Sequence, residues 1–223
     1  MIDAIFVPRG AEESAVRRAL ARARVVARVV TTGIGPHAAA RAAQSARTRP
    51  LERVLVTGLC GLLSPAFVVG DALVYRDVRR DREEPLALDA AWSDALAARL
   101  PGAQTGIRAL ASSRVVTSAA VKAALARRTG ADAVDMESYD LADVLTRAGA
   151  KVAVIRVGSD DAAHDLPDLD RAVDGSGGLD GIALALAMLR RPRAGLRLAI
   201  DASRALRALE RAIYALARPA SAP

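Results

Sequence analysis

The sequence predicts an α/β protein: one three-layer αβα domain built round a mixed, largely parallel central sheet and continued by a helical C-terminal tail. Three observations predict it. Short runs rich in Val, Ile and Leu alternate with stretches whose apolar residues recur three and four apart, the pattern of strands joined by crossover helices. Glycines and polar residues collect where the apolar runs stop. With 223 residues, 52% of them hydrophobic, the chain can bury one sizeable core, and nothing in it demands two.

The elements follow in order. "IDAIFVP" reads as a strand, and "AEESAVRRALARA" as a helix with Val16 and Leu20 inside. "RVVARVVTTGIG" runs as a strand into a glycine turn, and Pro36 opens the helix "PHAAARAAQSARTR". "ERVLVTGLCG" is a buried strand ending in glycines, and "VVGDALVYRDV" is another strand. The charged stretch "RRDREEPLALD" reads as an exposed linker before the helix "AAWSDALAARL". "GIRALASSRVV" is extended, and "SAAVKAALARRTG" is a helix stopped by Gly130. A strand over Ala133–Met136 gives way at Ser138 to a helix with Leu141, Val144 and Leu145 on one stripe. "KVAVIRVGSDD" is the last strand, and the chain beyond Leu179 reads as helical. Residues 1–178 thus form the α/β domain, and 179–223 a helical extension packed on or beside it.

Composition removes several classes of function. One cysteine, Cys60, excludes an intrachain disulfide, and with only two histidines a zinc site is not expected. The N-terminus lacks the basic and apolar regions of a signal peptide, and the longest apolar run, "GIALALAML", is half the roughly 18 residues of a spanning helix, so a soluble cytoplasmic protein is expected. The net charge of +7 comes from arginines scattered along the chain without interleaved aromatics, so no nucleic-acid partner is expected.

The strand ends carry the chemistry. "VPRGAEES", "TTGIGP", "VTGLCG", "DMES" and "IRVGSDD" place five polar or glycine-rich elements where open α/β sheets bind ligands. A helix cap or tight turn explains any one of them, and a shared cleft explains all five. Gly33, Gly35, Gly58 and Gly61, with Cys60 between the last two, allow the backbone to approach a ligand. Arg156 lies inside a strand and calls for a carboxylate or an anionic ligand. Asp160 and Asp161 repel each other, which favours a proton on one of them. Glu137 either faces the cleft or caps the helix that begins at Ser138.

In order and spacing, "TGIGP", "VTGLCGLLSPAFVVGD", "AVDMES" and "VIRVGSDDA" resemble the nucleoside phosphorylase and methylthioadenosine/S-adenosylhomocysteine nucleosidase superfamily. The tail "DLPDLDRAVDGSGGLDGIALALAMLRRPRAGLRLAIDASRALRAL" is similar to that of the hopanoid-biosynthesis-associated branch. The resemblance implies cleavage of a purine N-ribosyl bond by water or phosphate, extending to adenine release from an adenosyl-hopanoid lipid. Asp160, after Ser159, would protonate purine N7, while Glu137 would accept the ribose hydroxyls and steady an oxocarbenium-like state against Met136. Glu13 is the best match for the acid that holds the attacking water, with Glu12 one residue away, and Arg156 would share that duty or bind phosphate. Leu59 stands where relatives commonly carry serine, which turns the reading toward water. Val115 and Val116 stand where a stacking aromatic is common, so Val116 would grip the base by aliphatic contact. No cofactor or metal is implied, with phosphate as the alternative co-substrate, and a homo-oligomer is expected.

Arg197, Arg204, Arg211 and Arg218 recur every seven residues on one helix face, opposite Leu198, Leu206, Leu209, Ile213 and Leu216. A surface helix on the core explains this pattern, and so does a helix lying on anionic lipid at the inner face of the membrane. Other classes fit less well. "GIGPHA" follows the second strand instead of the first, against the dinucleotide fingerprint, and no G-x-S-x-G supports a serine hydrolase. A noncatalytic nucleotide- or lipid-binding protein on the same fold is the remaining alternative.

Overall fold

Alternate residues of each central strand enter opposite cores, and that alternation builds the layers. In the computed structural model, residues 1–33, 35–46, 50–80, 83–167 and 190–218 are described. The elements are β1 (Ala4–Pro8), α1 (Ala11–Ala23), β2 (Val29–Thr32), α2 (Pro36–Ala46), β3 (Arg53–Leu62), β4 (Ala72–Arg80), β5 (Leu86–Ala87), α3 (Ala90–Ala97), β6 (Gln104–Ala111), α4 (Ala119–Thr129), β7 (Ala133–Asp135), α5 (Ser138–Arg147), β8 (Lys151–Asp160) and α6 (Pro192–Ala217). Phe6, Val54, Val56, Val152 and Val154 pack with Ala39 and Ala43 of α2 and Leu141 and Leu145 of α5. Ile5, Val7, Leu55, Ala153 and Ile155 face the other way, onto Val16 and Leu20 of α1, Trp92 and Leu96 of α3, and Leu209 and Ile213 of α6.

The sheet runs β2-β1-β3-β7-β6-β4-β5, and β8 pairs with both β3 and β4. β1 lies parallel to β2 and β3, β8 parallel to β3, and β6 parallel to β4 and β7, whereas β7 opposes β3 and β4 opposes β5 and β8. The sheet is therefore mixed and largely parallel, as expected, and it also closes on itself through β3, β7, β6, β4 and β8. The closure turns on the glycine-rich end of β3, where the pairing with β8 slips by one residue at Cys60 and Gly61. A side chain at Gly158, opposite Cys60, would run into Leu62 at 2.9 Å, so glycine lets the two strands and their side chains close up there.

Some sequence expectations shift. Residues 24–28 are not strand, because Arg24 in the left-handed conformation ends α1 before β2 begins at Val29. The charged linker after β4 contains the short strand β5, which pairs back on β4. The division expected at residues 178 and 179, and residues 168–189 of the tail pattern, lie outside the described residues. No helix among the described residues is long and apolar enough to cross a membrane.

Candidate active site

The carboxyl ends of β3, β7 and β8 converge on one recess of about 180 Å³, lined among others by Glu12, Leu59, Cys60, Gly61, Met136, Glu137, Ser159 and Asp160. Arg114, Val115, Val116, Val134 and Leu166 add a mostly aliphatic wall. Two groups of polar side chains face this space.

The first group is built round Arg156, which is fully buried. Its Nη2 donates to Glu137 Oε2 at 3.2 Å and to Ser138 Oγ at 3.1 Å, and its Nη1 donates to the Leu59 carbonyl at 3.3 Å. Nε donates to Ser138 Oγ and lies 3.7 Å from Asp135. Burial alone would lower Arg156, but Asp135 and Glu137 more than offset it and hold the guanidinium above its ordinary value. Arg156 thus meets the carboxylates expected of it. It is not among the residues that line the recess, and Nε, Nη1 and Nη2 each donate to a protein group.

Glu137 faces the recess because Asp135 does the capping. Asp135 Oδ1 accepts from the backbone N–H of Glu137 at 3.0 Å and of Ser138 at 2.8 Å, which satisfies the start of α5. The Glu137 side chain is then free to accept from Gly35 N–H at 3.1 Å and from Arg156. Burial raises the Glu137 carboxyl above its usual range even though Arg156 pulls it down.

Glu12 completes this group, and Glu13 does not. Glu12 Oε1 accepts from Leu59 N–H at 2.6 Å. Burial pushes Glu12 up to about 7 against the pull of Arg156, and the Glu137 charge adds to the rise. Glu13 instead accepts from Arg17 at 2.8 Å on the helix exterior, and that bond holds it below the usual carboxylate range. Of the two glutamates, Glu12 lines the recess, and Glu13, the one expected to hold the attacking water, does not. Helix periodicity carried the signal: Ala15, Val16, Ala19 and Leu20 are the buried stripe of α1, and position 12 continues it where 13 does not.

Gly58 makes the cluster fit. Its φ of +142° and the 2.6 Å from a built Cβ to both Arg156 Nη1 and Glu12 Oε1 leave no room for a side chain. Gly35 lies within 3.9 Å of Met136 by the same measure, and Gly33 is not among the residues lining the recess.

The second group surrounds Asp160. Ser159 Oγ lies 2.8 Å from Asp160 Oδ1 and 3.0 Å from the Cys60 carbonyl, so its one proton serves one of them at a time. Lys122, fully buried on α4, donates through Nζ to Asp160 Oδ2 and to the Asp161 carbonyl. Burial raises the Asp160 carboxyl above its usual range although Lys122 and Ser159 oppose the rise. Burial raises Asp161, but His164, 2.8 Å away, and the Ala163 N–H together hold it below its usual range. The two adjacent acids are thus driven apart, and His164 serves Asp161 and not Asp160. Sequence reasoning missed Lys122 and Asp135. Lys122 is one of two lysines among 32 basic residues, and Asp135 stands three positions before Ser138.

Beyond Met136 a second hollow of about 430 Å³ is lined by Pro36, His37, Arg80, Ser112, Ser113 and Asp140, among others. Among the described residues no group of His, Cys, Asp and Glu could hold a metal ion.

A family model described as the phosphorylase superfamily matches residues 6–189. No curated protein matches the sequence. Among solved structures, the 5′-methylthioadenosine/S-adenosylhomocysteine nucleosidase of Helicobacter pylori, bound to butyl-thio-DADMe-Immucillin-A, superposes with a TM-score of 0.71 at 15% identity, covering 97% of this chain and 98% of that one. Futalosine hydrolase of the same organism gives 0.72 at 13% identity over 97% of both chains. The MTA/SAH nucleosidase of Streptococcus pneumoniae, with 8-aminoadenine, gives 0.64 at 17% identity over 92% of this chain and all of that one (100%). At these identities the likeness is one of fold.

Proposed function

The chain belongs to the phosphorylase superfamily, and from that premise we propose that it is a nucleosidase, cleaving the N-ribosyl bond of a purine nucleoside with water. The observation that carries this reading is one recess lined both by the Glu12 and Glu137 carboxyls and by Asp160. Bond cleavage places positive charge on the sugar and negative charge on the departing base, so it needs an anionic wall for the one and an acid for the other. Glu137 accepts the ribose hydroxyls and steadies the cationic sugar. Asp160, whose proton is favoured by burial, protonates N7. Glu12, poised at about 7, takes the proton of the attacking water. Met136 packs against the ribose, and Val115, Val116 and Leu166 hold the base.

Water is favoured over phosphate by charge. A phosphate dianion beside Glu12 would face Glu137 and Asp135 too, with each Arg156 nitrogen already donating to a protein group and no serine hydroxyl at Leu59. The hollow beyond Met136 leaves room for a large 5′ substituent, which supports an adenosyl-lipid of the hopanoid type as substrate. A peripheral membrane role goes with it. Along the exposed side of α6, Leu196 and Ile200 are 64% and 58% accessible, and Arg193, Arg197, Arg204, Arg207 and Arg211 share that side. Such a surface suits anionic lipid.

Adenine release from adenosine, methylthioadenosine and adenosyl-hopanoid, each with and without phosphate, tests the reading. Release without phosphate, abolished by Asp160→Asn, is expected, with adenosyl-hopanoid the preferred substrate. Release that requires phosphate, or no release from any of the three by folded protein, would overturn it.

A further inference from the structure

The buried lysine beside Asp160 has no place in the mechanism above. Lys122 is wholly shielded from solvent, and its Nζ points at Asp160 Oδ2 and the Asp161 carbonyl, the latter at 2.6 Å. The other groups round Asp160 among the described residues have partners or places of their own. Ser159 bonds Asp160 Oδ1 or the Cys60 carbonyl, the Cys60 side chain of β3 lines the same recess, and Arg114 lines its wall. Asp161 is engaged by His164 and lies 3.9 Å from Arg197 of α6, while Asp165 accepts from the Ala119 N–H at the start of α4. The Glu12, Glu137 and Asp135 carboxyls belong to the Arg156 group.

A salt bridge at this place raises a difficulty. An ammonium held against Asp160 favours the carboxylate, yet an acid is what a departing purine needs. The identity of the cation removes it. An ammonium with a carboxylate carries the same number of protons as an amine with a carboxylic acid, and a lysine can pass between the two where an arginine cannot. This chain uses arginine at nearly every basic position and lysine at two, one of them here. Burial also makes the charged pair costly, which brings the neutral pair closer in energy.

We infer that Lys122 and Asp160 store between them the proton that the leaving base receives, with Lys122 acting as a positioning residue through Asp160. This rests on the proposed ribosyl cleavage. With substrate in place and water displaced, a proton moves from Lys122 Nζ to the Asp160 carboxylate, leaving an amine and a carboxylic acid. Asp160 passes a proton to purine N7 as the C–N bond breaks and its electron pair stays with the base. The attacking water loses a proton to Glu12. After product leaves, Glu12 returns a proton to solvent and the lysine–aspartate pair takes one up, which closes the balance. Storage of this kind keeps the acid loaded at a pH where Asp160 alone has lost its proton.

Lys122→Met and Lys122→Arg, compared with wild type across pH 5 to 10, test the inference on kcat for adenine release, with thermal unfolding of each as a control for folding. Lys122→Met is expected to work at low pH and to fall at least tenfold below wild type on the alkaline side. Lys122→Arg is expected to lose at least a hundredfold at every pH, because a guanidinium holds Asp160 as a carboxylate. A Lys122→Met profile parallel to wild type, or recovery by Lys122→Arg, would overturn it and leave Lys122 structural. A second readout needs neither variant nor activity. With ¹³C-labelled lysine and aspartate, the Lys122 Cε and Asp160 carboxyl signals are expected to move over one shared pH interval, Lys151 serving as the exposed reference. Independent titration would overturn the storage. Absence of adenine release from wild type would count against ribosyl cleavage itself, and the shared titration would still decide the pair.

Discussion

Burial lifts the Glu12 carboxyl to about 7, while Glu13, one residue on, is held below the usual carboxylate range by Arg17. The difference lies in their surroundings: Glu12 is turned inward beside Glu137 and Asp135, with one guanidinium among three carboxyls, while Glu13 is paired with Arg17 in water. Glu12→Gln is therefore expected to lower kcat about 10²–10⁴-fold, the usual worth of a positioned base. Glu13→Gln should leave it within about twofold. The same residue gives a stability effect. The folded-state pKa of Glu12 lies above its unfolded value of 4.5, so its contribution is intact below 4.5 and is lost as pH rises through about 7. The rise from 4.5 to about 7 corresponds to about 3 kcal/mol. Glu12→Gln should thus unfold at a higher temperature than wild type at pH 8.5 and gain little at pH 4, as calorimetry would measure. Equal gains at both would show that burial leaves the Glu12 carboxyl unshifted from its unfolded value. At this scale sequence was a partial guide. Asp160, Glu137 and Arg156 stand out by type and position, but the choice between adjacent glutamates depends on helix phase, and Lys122 looks like any helix surface residue until the fold buries it.

The elements that carry these side chains depend on glycine and on caps. β3 brings Gly58 within reach of both Arg156 and Glu12, and a methyl group there would stand 2.6 Å from each. Gly58→Ala is expected to cost more than about 2 kcal/mol from strain and overlap, with activity falling in step, measurable by urea unfolding alongside adenine release. An unchanged unfolding midpoint would mean that the cluster relaxes freely. On α6, Arg193→Glu with Arg207→Glu and Arg211→Glu reverses the charge of the exposed side without touching the buried Leu209 and Ile213. The triple variant is expected to lose sedimentation with phosphatidylglycerol vesicles that the wild type shows at low salt. No wild-type binding would remove the membrane reading and leave α6 as a helix that only completes the core. The elements themselves were largely legible, since strand alternation and helix stripes are local. The start of β2 and the presence of β5 were not, because a left-handed cap at Arg24 and pairing back on β4 leave little trace in apolar spacing.

At the scale of the whole molecule, the layers could be read from alternation but the closure of the sheet could not. β8 pairs with β3 and with β4, strands far apart in sequence, and no local pattern announces a strand that has two such neighbours. That closure gathers the ends of β3, β7 and β8, and with them the two polar groups, round one recess. In the proposed reaction, water activated at Glu12 attacks a ribosyl carbon while Asp160 protonates the base. Adenosine turnover in ¹⁸O-enriched water containing phosphate, with the sugar product analysed by mass spectrometry, separates water from phosphate as the nucleophile. Free ribose carrying one ¹⁸O at the carbon that held the base is expected. Ribose 1-phosphate without the label would contradict it and assign phosphate as the nucleophile.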